Sequence, residues 1–206
     1  MKQLMIFATL MATAGSAMAM SEGEYVAKAA DCAACHTSST GANLAGGVRF
    51  ATPLGEIYST NITPDVKSGI GGYSFEEFDK AMRQGIAKDG HPLYPAMPYT
   101  SYVKMSGKDM HALYDYLMKE VQPQPVANRE NDISWPMSVR WPLHVWNSIF
   151  LEEGEYTTQA DKSAEWNRGA YLVQGAGHCG ACHTPRGWAQ QEKAVDDQST
   201  TFLSVG

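Results

Sequence analysis

The sequence contains no cysteine outside two short motifs. All four cysteines of the 206-residue chain lie within residues 32–36 and 179–183, and both motifs read Cys-x-x-Cys-His. No thiol is left over for a structural disulfide, so the disulfide framework of many small secreted domains is excluded.

The chain also lacks an excess of positive charge and a long apolar run. Its 16 basic and 22 acidic residues give a formal net charge of −6 at pH 7. Because nucleic-acid-binding proteins usually carry a basic patch, we expect no nucleic-acid partner. A membrane-spanning helix needs about 20 consecutive apolar residues, and no stretch of this sequence supplies them.

The N-terminal residues have the order of features typical of a secretory signal. Lys2 precedes a short apolar run over residues 4–11, and small residues with an Ala-x-Ala ending follow. This pattern predicts a signal peptide over residues 1–19, and the run is too short to favour an uncleaved anchor. Its removal takes away one lysine and no acid, which leaves a net charge of −7. We therefore expect a location in the periplasm or at the periplasmic face of the inner membrane.

The two motifs have the attachment signature of c-type haem. Two thiols at this spacing can each bond one haem vinyl group, and the histidine that follows binds the iron. The sequence therefore predicts two covalent haem c sites. The attachment residues are Cys32, Cys35, Cys179 and Cys182, and the proximal iron ligands are His36 and His183.

Other uses of a Cys-x-x-Cys pair fit less well. A zinc site would place a second Cys or His pair some 15–20 residues further on, whereas Cys35 and Cys179 are 144 residues apart. A thioredoxin-like site would lie in a βαβ pattern, which the sequence does not show.

Met97 is the predicted distal ligand of the first haem. It lies in a loop between Pro95 and Pro98, and prolines fix φ and exclude helix, which makes the loop stiff. A thioether opposite His36 raises the reduction potential and suits electron transfer. Other methionines occupy helix-stripe or staple positions, which indicates core packing: Met82, Met105, Met110 and Met118.

The remaining axial positions stay open. His91 is the alternative ligand of the first iron, but the adjacent Pro92 and its loop context favour solvent exposure. For the second iron, His178 is too close in the chain to its motif, and Met137 and His144 would need an unusual path. Either that haem is five-coordinate or its distal ligand lies beyond the end of this sequence, which we favour.

Matching approaches to the two motifs predict a repeat of haem modules. Gly-x-Tyr occurs at residues 23–25 and 169–171, each time on a short predicted helix. We expect one complete cytochrome c module over residues 20–121, a Pro/Trp-rich linker over 122–162 and the start of a second module over 163–206. The predicted fold class is mainly α, with cytochrome c-type haem modules in tandem and the second incomplete.

Inside the first module the sequence predicts two capped helices and a loop region. Ser74 and Ser106 are predicted N-caps of helices over residues 75–88 and 107–120, each with an acidic residue in the capping-box position. Residues 37–72 are rich in Gly, Thr, Ser and Asn and are predicted to form a loop. The aromatic linker allows two interpretations. We favour packing against the first module and beneath the second, and the alternative is an exposed patch that docks a partner protein.

Several longer strings resemble a known family. They are AADCAACHT at residues 29–37, IYSTNITPD at 57–65, LYPAMPY at 93–99, and SAEWNRGAYLV at 163–173 leading into GHCGACHTP at 177–185. The chain is similar in these strings to the multi-haem cytochrome c subunit of membrane-bound periplasmic dehydrogenases, which oxidise alcohols, gluconate, sorbitol and similar compounds.

The resemblance implies partners and further site roles. Such subunits accept electrons from a catalytic subunit with a flavin or pyrroloquinoline quinone and pass them toward ubiquinone. The resemblance also implies that Met97 is the first distal ligand and that Asn61 and Thr63 bond a haem propionate. This sequence lacks the third haem motif and the membrane anchor of the family, so we expect membrane association through a missing C-terminal part or a partner.

Electron relay is therefore the predicted function, in a chain that is not catalytic alone. One alternative is a two-haem peroxidase-like enzyme, because the second iron has no distal ligand in this sequence. The other alternative is a haem-based sensor or an interaction module built around the Trp-rich linker.

Overall fold

A computed structural model describes residues 19–204, so the predicted signal peptide lies outside the described residues except for Ala19. The fold is mainly helical, at 34% helix, with one small sheet, which confirms the predicted class at this level. The helices are α1 (Glu22–Ala29), α2 (Cys32–His36), α3 (Phe75–Gln84), α4 (Tyr99–Tyr102), α5 (Gly107–Lys119), α6 (Pro142–Phe150), α7 (Ala164–Gln174) and α8 (Gly180–His183).

The sheet was not predicted from the sequence. Strands β1 (Arg49–Thr52), β2 (Gly55–Tyr58) and β3 (Asp132–Ile133) pair antiparallel in that order. Two residues, 53 and 54, connect β1 and β2, because Thr52 pairs with Gly55. The prediction of loop throughout residues 37–72 is therefore wrong at this hairpin. Strands β1 and β2 are only four residues long, and the two-residue β3 comes from the distant linker, so the local pattern carries little signal.

The core forms where α1 crosses α5. Gly23 lies at the crossing, since a Cβ there would be 2.1 Å from the carbonyl oxygen of Ala112. Val26 on α1 and Leu113 and Leu117 on α5 are buried beside it, at the spacing of one helix face. A glycine at the crossing lets the two backbones approach closely enough for these side chains to pack.

The predicted capping of α3 is confirmed, although the helix is shorter than expected. Ser74 accepts a hydrogen bond from the N–H of Glu77, and the Glu77 carboxylate accepts one from the N–H of Ser74. The helix ends at Gln84 because Gly85 has a left-handed conformation, with φ at 63°. The ring of Tyr99 covers Gly85 at a distance that leaves no room for a Cβ.

The capping of α5 differs from the prediction. Ser106 accepts a hydrogen bond from the N–H of Asp109, as expected. The Asp109 carboxylate accepts instead from the Tyr171 hydroxyl at 2.6 Å, and that hydroxyl accepts from the N–H of Ser106 at 3.0 Å. Tyr171 belongs to α7, so a residue leading to the second motif completes the cap of a helix in the first module.

Two buried polar residues fasten the linker to the first module. The Asn61 amide donates to the carbonyl oxygens of Gln124 and Val126, and its oxygen accepts from the N–H and the hydroxyl of Thr63. The Thr63 hydroxyl also accepts from the N–H of Gln124. These polar atoms are paired within the protein, and the role in propionate binding that the family resemblance implied for Asn61 and Thr63 stays a prediction.

Substitution of Asn61 by leucine should destabilise the protein strongly. The change leaves buried carbonyl and hydroxyl groups without partners, and we expect the free energy of unfolding to fall by about 3 kcal/mol. Urea denaturation followed by circular dichroism measures this. Asn43→Ala is the matched control, because Asn43 is exposed and accepts a single bond from Thr37. If both substitutions lowered the free energy of unfolding equally, the stabilising role of the buried Asn61 hydrogen bonds would be contradicted.

Candidate haem sites

The first motif lies on α2, at the edge of the core. Cys32 is 8% exposed and belongs to the central apolar cluster, whereas Cys35 is half-buried. Burial raises the pKa of the Cys32 thiol to about 12. All four cysteines are free. A buried neutral sulfur suits a position that would end in a thioether to haem.

The orientation of His36 is fixed by one backbone carbonyl. Its Nδ1 lies 2.6 Å from the carbonyl oxygen of Thr60. Since a carbonyl oxygen only accepts hydrogen bonds, Nδ1 must carry the proton, and Nε2 keeps its lone pair. Burial lowers the pKa of His36, which keeps the ring neutral, although the bond to Thr60 opposes this shift. A neutral imidazole oriented by its second nitrogen is the arrangement that iron ligation requires.

Hydrogen bonds on both sides hold the Thr60 carbonyl in place. The N–H of Gly47 donates to Ser59 at 2.9 Å, and the N–H of Ile62 donates to Leu44 at 2.9 Å. Thr60 was not identified from the sequence. A backbone carbonyl gives no side-chain signal, so only the folded loop shows its role.

Met97 lies on a short loop, as predicted, and hydrogen bonds and a linker side chain hold this loop in place. It is half-buried and packs against the same apolar cluster that contains Cys32. Its N–H donates to Tyr94, and the linker residue Arg140 stacks on the Tyr94 ring at 4.4 Å. The Arg140 guanidinium also donates to the carbonyl of Pro92 at 3.2 Å. The linker therefore supports the candidate ligand loop, and the ligand role of Met97 stays a prediction.

The rival residues lie in less suitable places. His91 is exposed and pairs with Asp89. Met105 and Met110 are fully buried in the core, as predicted for packing residues. Thus the structure places Cys32 and Met97 at one apolar cluster, with His36 on the same short helix as Cys32, and leaves the alternative histidine exposed.

The second motif is more open to solvent. Cys179 is half-buried, but Cys182 and His183 are exposed. His144 is exposed and Met137 is 49% exposed, so neither is buried beside a second haem site. A distal ligand for that site is not identified among residues 19–204.

The second motif nevertheless repeats the backbone features of the first. In both motifs the residue before the first cysteine has a positive φ, which is 51° for Asp31 and 36° for His178. The Thr37 hydroxyl accepts from the N–H of Leu44 at 2.9 Å, and the Thr184 hydroxyl accepts from the N–H of Leu203 at 3.1 Å. Both leucines have a left-handed backbone conformation, with φ at 59° for Leu44 and 54° for Leu203. Because non-glycine residues rarely adopt this conformation, the shared set indicates a common local architecture.

The two motifs are neighbours in space. Burial, the Asp31 carboxylate and the nearby thiol of Cys182 raise the pKa of Cys35. Ala176, which precedes the second motif, is 2% exposed within the cluster that contains Cys32. The Tyr171 hydroxyl joins α7 to α5, as described above.

The linker fits both interpretations in part. The inner side of α6 packs on the first module, where Asn147 accepts from the Tyr99 hydroxyl and Trp146 meets the Tyr99 ring edge-on. Its outer side carries three exposed apolar residues that we call the outer α6 face. They are Trp141, Val145 and Ile149.

Across the described part of the chain, no cluster of three or more His, Cys, Asp or Glu side chains is placed to hold a metal ion. Within residues 19–204, none of the helices is long and apolar enough to cross a membrane. The residues around the first motif fit a c-type haem, because they provide a buried thiol, an oriented neutral imidazole and a nearby thioether.

Comparison with known proteins supports this chemistry. A family model described as cytochrome c matches residues 20–120. The gluconate 2-dehydrogenase cytochrome c subunit of Pantoea cypripedii is 52% identical over 184 residues, 88% of this chain and 42% of that protein. The cytochrome c subunit of alcohol dehydrogenase (quinone) of Gluconacetobacter polyoxogenes is 53% identical over 187 residues, 90% and 40% of the two chains.

A third relative is the fructose dehydrogenase cytochrome subunit of Gluconobacter japonicus. It is 47% identical over 169 residues, 81% of this chain and 35% of that protein. The chain thus spans about two fifths of the length of the relatives it matches. These matches show that the chain belongs to the cytochrome c family and is related within it to the cytochrome c subunits of gluconate, alcohol and fructose dehydrogenases.

Proposed function

We propose that this chain is the electron-transfer part of a periplasmic dehydrogenase acting on CH–OH donors. It takes electrons from a catalytic subunit with a flavin or pyrroloquinoline quinone and passes them toward ubiquinone. The observation that carries this proposal is the His36–Thr60 hydrogen bond beside a buried cysteine, on a chain whose relatives are named as dehydrogenase cytochrome subunits. Those names favour relay over the peroxidase and sensor alternatives.

The proposal includes two haem c sites. Covalent attachment would be at Cys32 and Cys35 and at Cys179 and Cys182, with His36 and His183 as proximal ligands and Met97 opposite His36. When bound, haem supplies an iron that cycles between Fe(III) and Fe(II). The chain's own residues orient the imidazole, hold the thioether on a stiff loop and exclude water from the first site, which favours the less charged reduced iron.

The proposed domain organisation follows from these sites. The first haem module covers residues 20–121, the linker 122–162, and the second module begins at 163. Packing of Tyr171 and Ala176 on the first module supports a tandem arrangement. Residues 1–19 are proposed as the export signal, and attachment to the periplasmic face of the inner membrane is proposed to come from a further C-terminal part or from a partner.

The outer α6 face is the proposed contact with the catalytic subunit. Trp141, Val145 and Ile149 are 67%, 50% and 65% exposed, and residues 134–151 contain a single charged side chain, Arg140. Helices that lie on membranes usually carry Lys and Arg on their polar side, and an acidic chain is repelled by anionic lipid. The uncharged, Trp-containing face therefore suits a protein interface.

Reduction by a catalytic subunit tests the proposed function. The oxidised haem-loaded chain is mixed in turn with the catalytic subunits of gluconate 2-dehydrogenase, alcohol dehydrogenase (quinone) and fructose dehydrogenase, each with its own substrate. We expect substrate-dependent reduction of the haem, seen by absorption, with at least one of them. Peroxide turnover by the chain, without reduction by any donor, would contradict the relay and favour a peroxidase.

The contact surface is tested with the donor that reduces the chain. Changing Trp141 and Ile149 together to serine should slow reduction by about tenfold, which corresponds to about 1.4 kcal/mol of lost binding. Val66→Ser is the control, because Val66 is 76% exposed but lies outside α6. Unchanged rates in the double variant, or binding of the parent chain to anionic vesicles through this face, would contradict a protein interface.

A further inference from the structure

One buried tyrosine contacts the segments that lead into both cysteine motifs. Tyr102 ends α4 and is 6% exposed. Its hydroxyl donates to the carbonyl of Ala30 at 2.9 Å, two residues before Cys32. Its ring meets the ring of His178 edge-on, with centroids 5.6 Å apart and planes at 76°. His178 directly precedes the second motif, so a single side chain touches both approaches.

Both partners of this contact are themselves held. The Nδ1 of His178 lies 2.9 Å from the carbonyl oxygen of Ala176, so Nδ1 carries the proton and the ring is oriented. Ala176 and Tyr102 belong to the same apolar cluster as Cys32. The rings of Tyr102 and His178 therefore pack at the border of this cluster with a defined geometry.

Tyr102 is also tied to the loop of the candidate distal ligand. Its N–H donates to the carbonyl of Pro98 at 3.0 Å, and Pro98 follows Met97 directly. One residue thus connects the distal loop of the first site, the attachment segment of the first site and the attachment segment of the second.

We propose that Tyr102, through its contact with His178, is a positioning residue that fixes the separation of the two haem sites and so the rate of electron transfer between them. This inference rests on the proposed function, because it requires a haem at each motif. Electron transfer between two centres weakens steeply as their separation grows, and small displacements of reacting groups have large effects on rate. The chain therefore aligns two redox sites with a pair of packed rings.

The test uses the full chain with both haems attached, as verified by intact mass. Tyr102→Leu and His178→Ala each remove the ring pair. We expect a several-fold slower electron transfer between the haems after photoreduction of one of them, and a weaker magnetic coupling between the two ferric irons in electron paramagnetic resonance. Tyr102→Phe keeps the ring pair and should retain most of the electron-transfer rate and of the magnetic coupling.

Tyr114→Phe is the matched control, because its hydroxyl donates to the carbonyl of Tyr73 at 2.9 Å, within the first module. It loses a similar hydrogen bond and should leave both measurements unchanged. If Tyr102→Leu fails to fold, the half-buried His178 still provides a test through His178→Ala. Two haems with unchanged rate and coupling in His178→Ala would overturn this inference alone, whereas a parent chain without a second haem would also overturn the two-site proposal.

Discussion

Substitution of Met97 by histidine is expected to lower the reduction potential of the first haem by roughly 0.2 V, about a quarter of the 0.8 V range that axial ligands set. A thioether is a weak donor that favours Fe(II), whereas an imidazole stabilises Fe(III). The Met97 loop is braced by Arg140 on Tyr94, so the new side chain starts from a fixed backbone. A redox titration followed by absorption measures the shift.

Met97→Leu provides the complementary experiment. It keeps the volume but removes the sulfur, so the first iron should lose its sixth ligand and bind carbon monoxide, whereas the parent chain should resist it. Met105→Leu is the control, because Met105 is fully buried in the same cluster but occupies a packing position. An unchanged potential and no carbon monoxide binding in the Met97 variants would show that another group ligates the iron.

The sequence predicted the parts of the site whose chemistry lies in side chains at fixed spacing. The Cys-x-x-Cys-His motifs are local, and Met97 stands out because prolines surround it and because the other methionines follow helix periodicity. The structure packs Met97 on the cluster of Cys32 and buries Met105 and Met110, as expected for packing residues, while the haem-binding roles stay predictions. Motifs and helix periodicity involve residues close together in the chain, so a single sequence is enough to raise these candidates.

The groups that orient the site were not predictable in the same way. The carbonyl of Thr60 fixes the His36 tautomer, yet any residue type has a carbonyl, and only the loop between Leu44 and Ile62 brings it into place. Asn61 was noticed from the sequence only for the propionate role that the family resemblance implied, and its contacts with the linker were not foreseen. Its amide bonds linker carbonyls more than 60 residues away, and no local pattern reports such a partner.

Tertiary contacts also replaced a local motif at α5. The sequence offered Asp109 as the second half of a capping box, but the Tyr171 hydroxyl takes the N–H of Ser106 and donates to Asp109. A buried phenol must find a partner, and this one satisfies the helix end at the same time. These long-range hydrogen bonds of Tyr171 take the place of the local bond between Asp109 and Ser106, and they connect α7, which leads to the second motif, with α5.

Replacement of the cysteine pairs by alanine is expected to remove one haem at a time, with different consequences for the two sites. A chain with Cys179→Ala and Cys182→Ala should carry one haem and keep the absorption spectrum of the first site. A chain with Cys32→Ala and Cys35→Ala should accumulate poorly. Intact mass of protein matured by an export system that attaches haem measures the count directly.

The difference follows from where the two motifs lie. Cys32 is 8% exposed inside the main core, so loss of the first haem leaves the apolar cluster around it incomplete, and voids in a core are costly. Cys182 and His183 are exposed, and the second motif rests on the first module through Tyr171 and Ala176. The first site should therefore fold without the second haem, whereas the second site should not fold without the first haem. Loss of both haems from the Cys179 and Cys182 variant would contradict this order, and a parent chain of haem-free mass would contradict both sites.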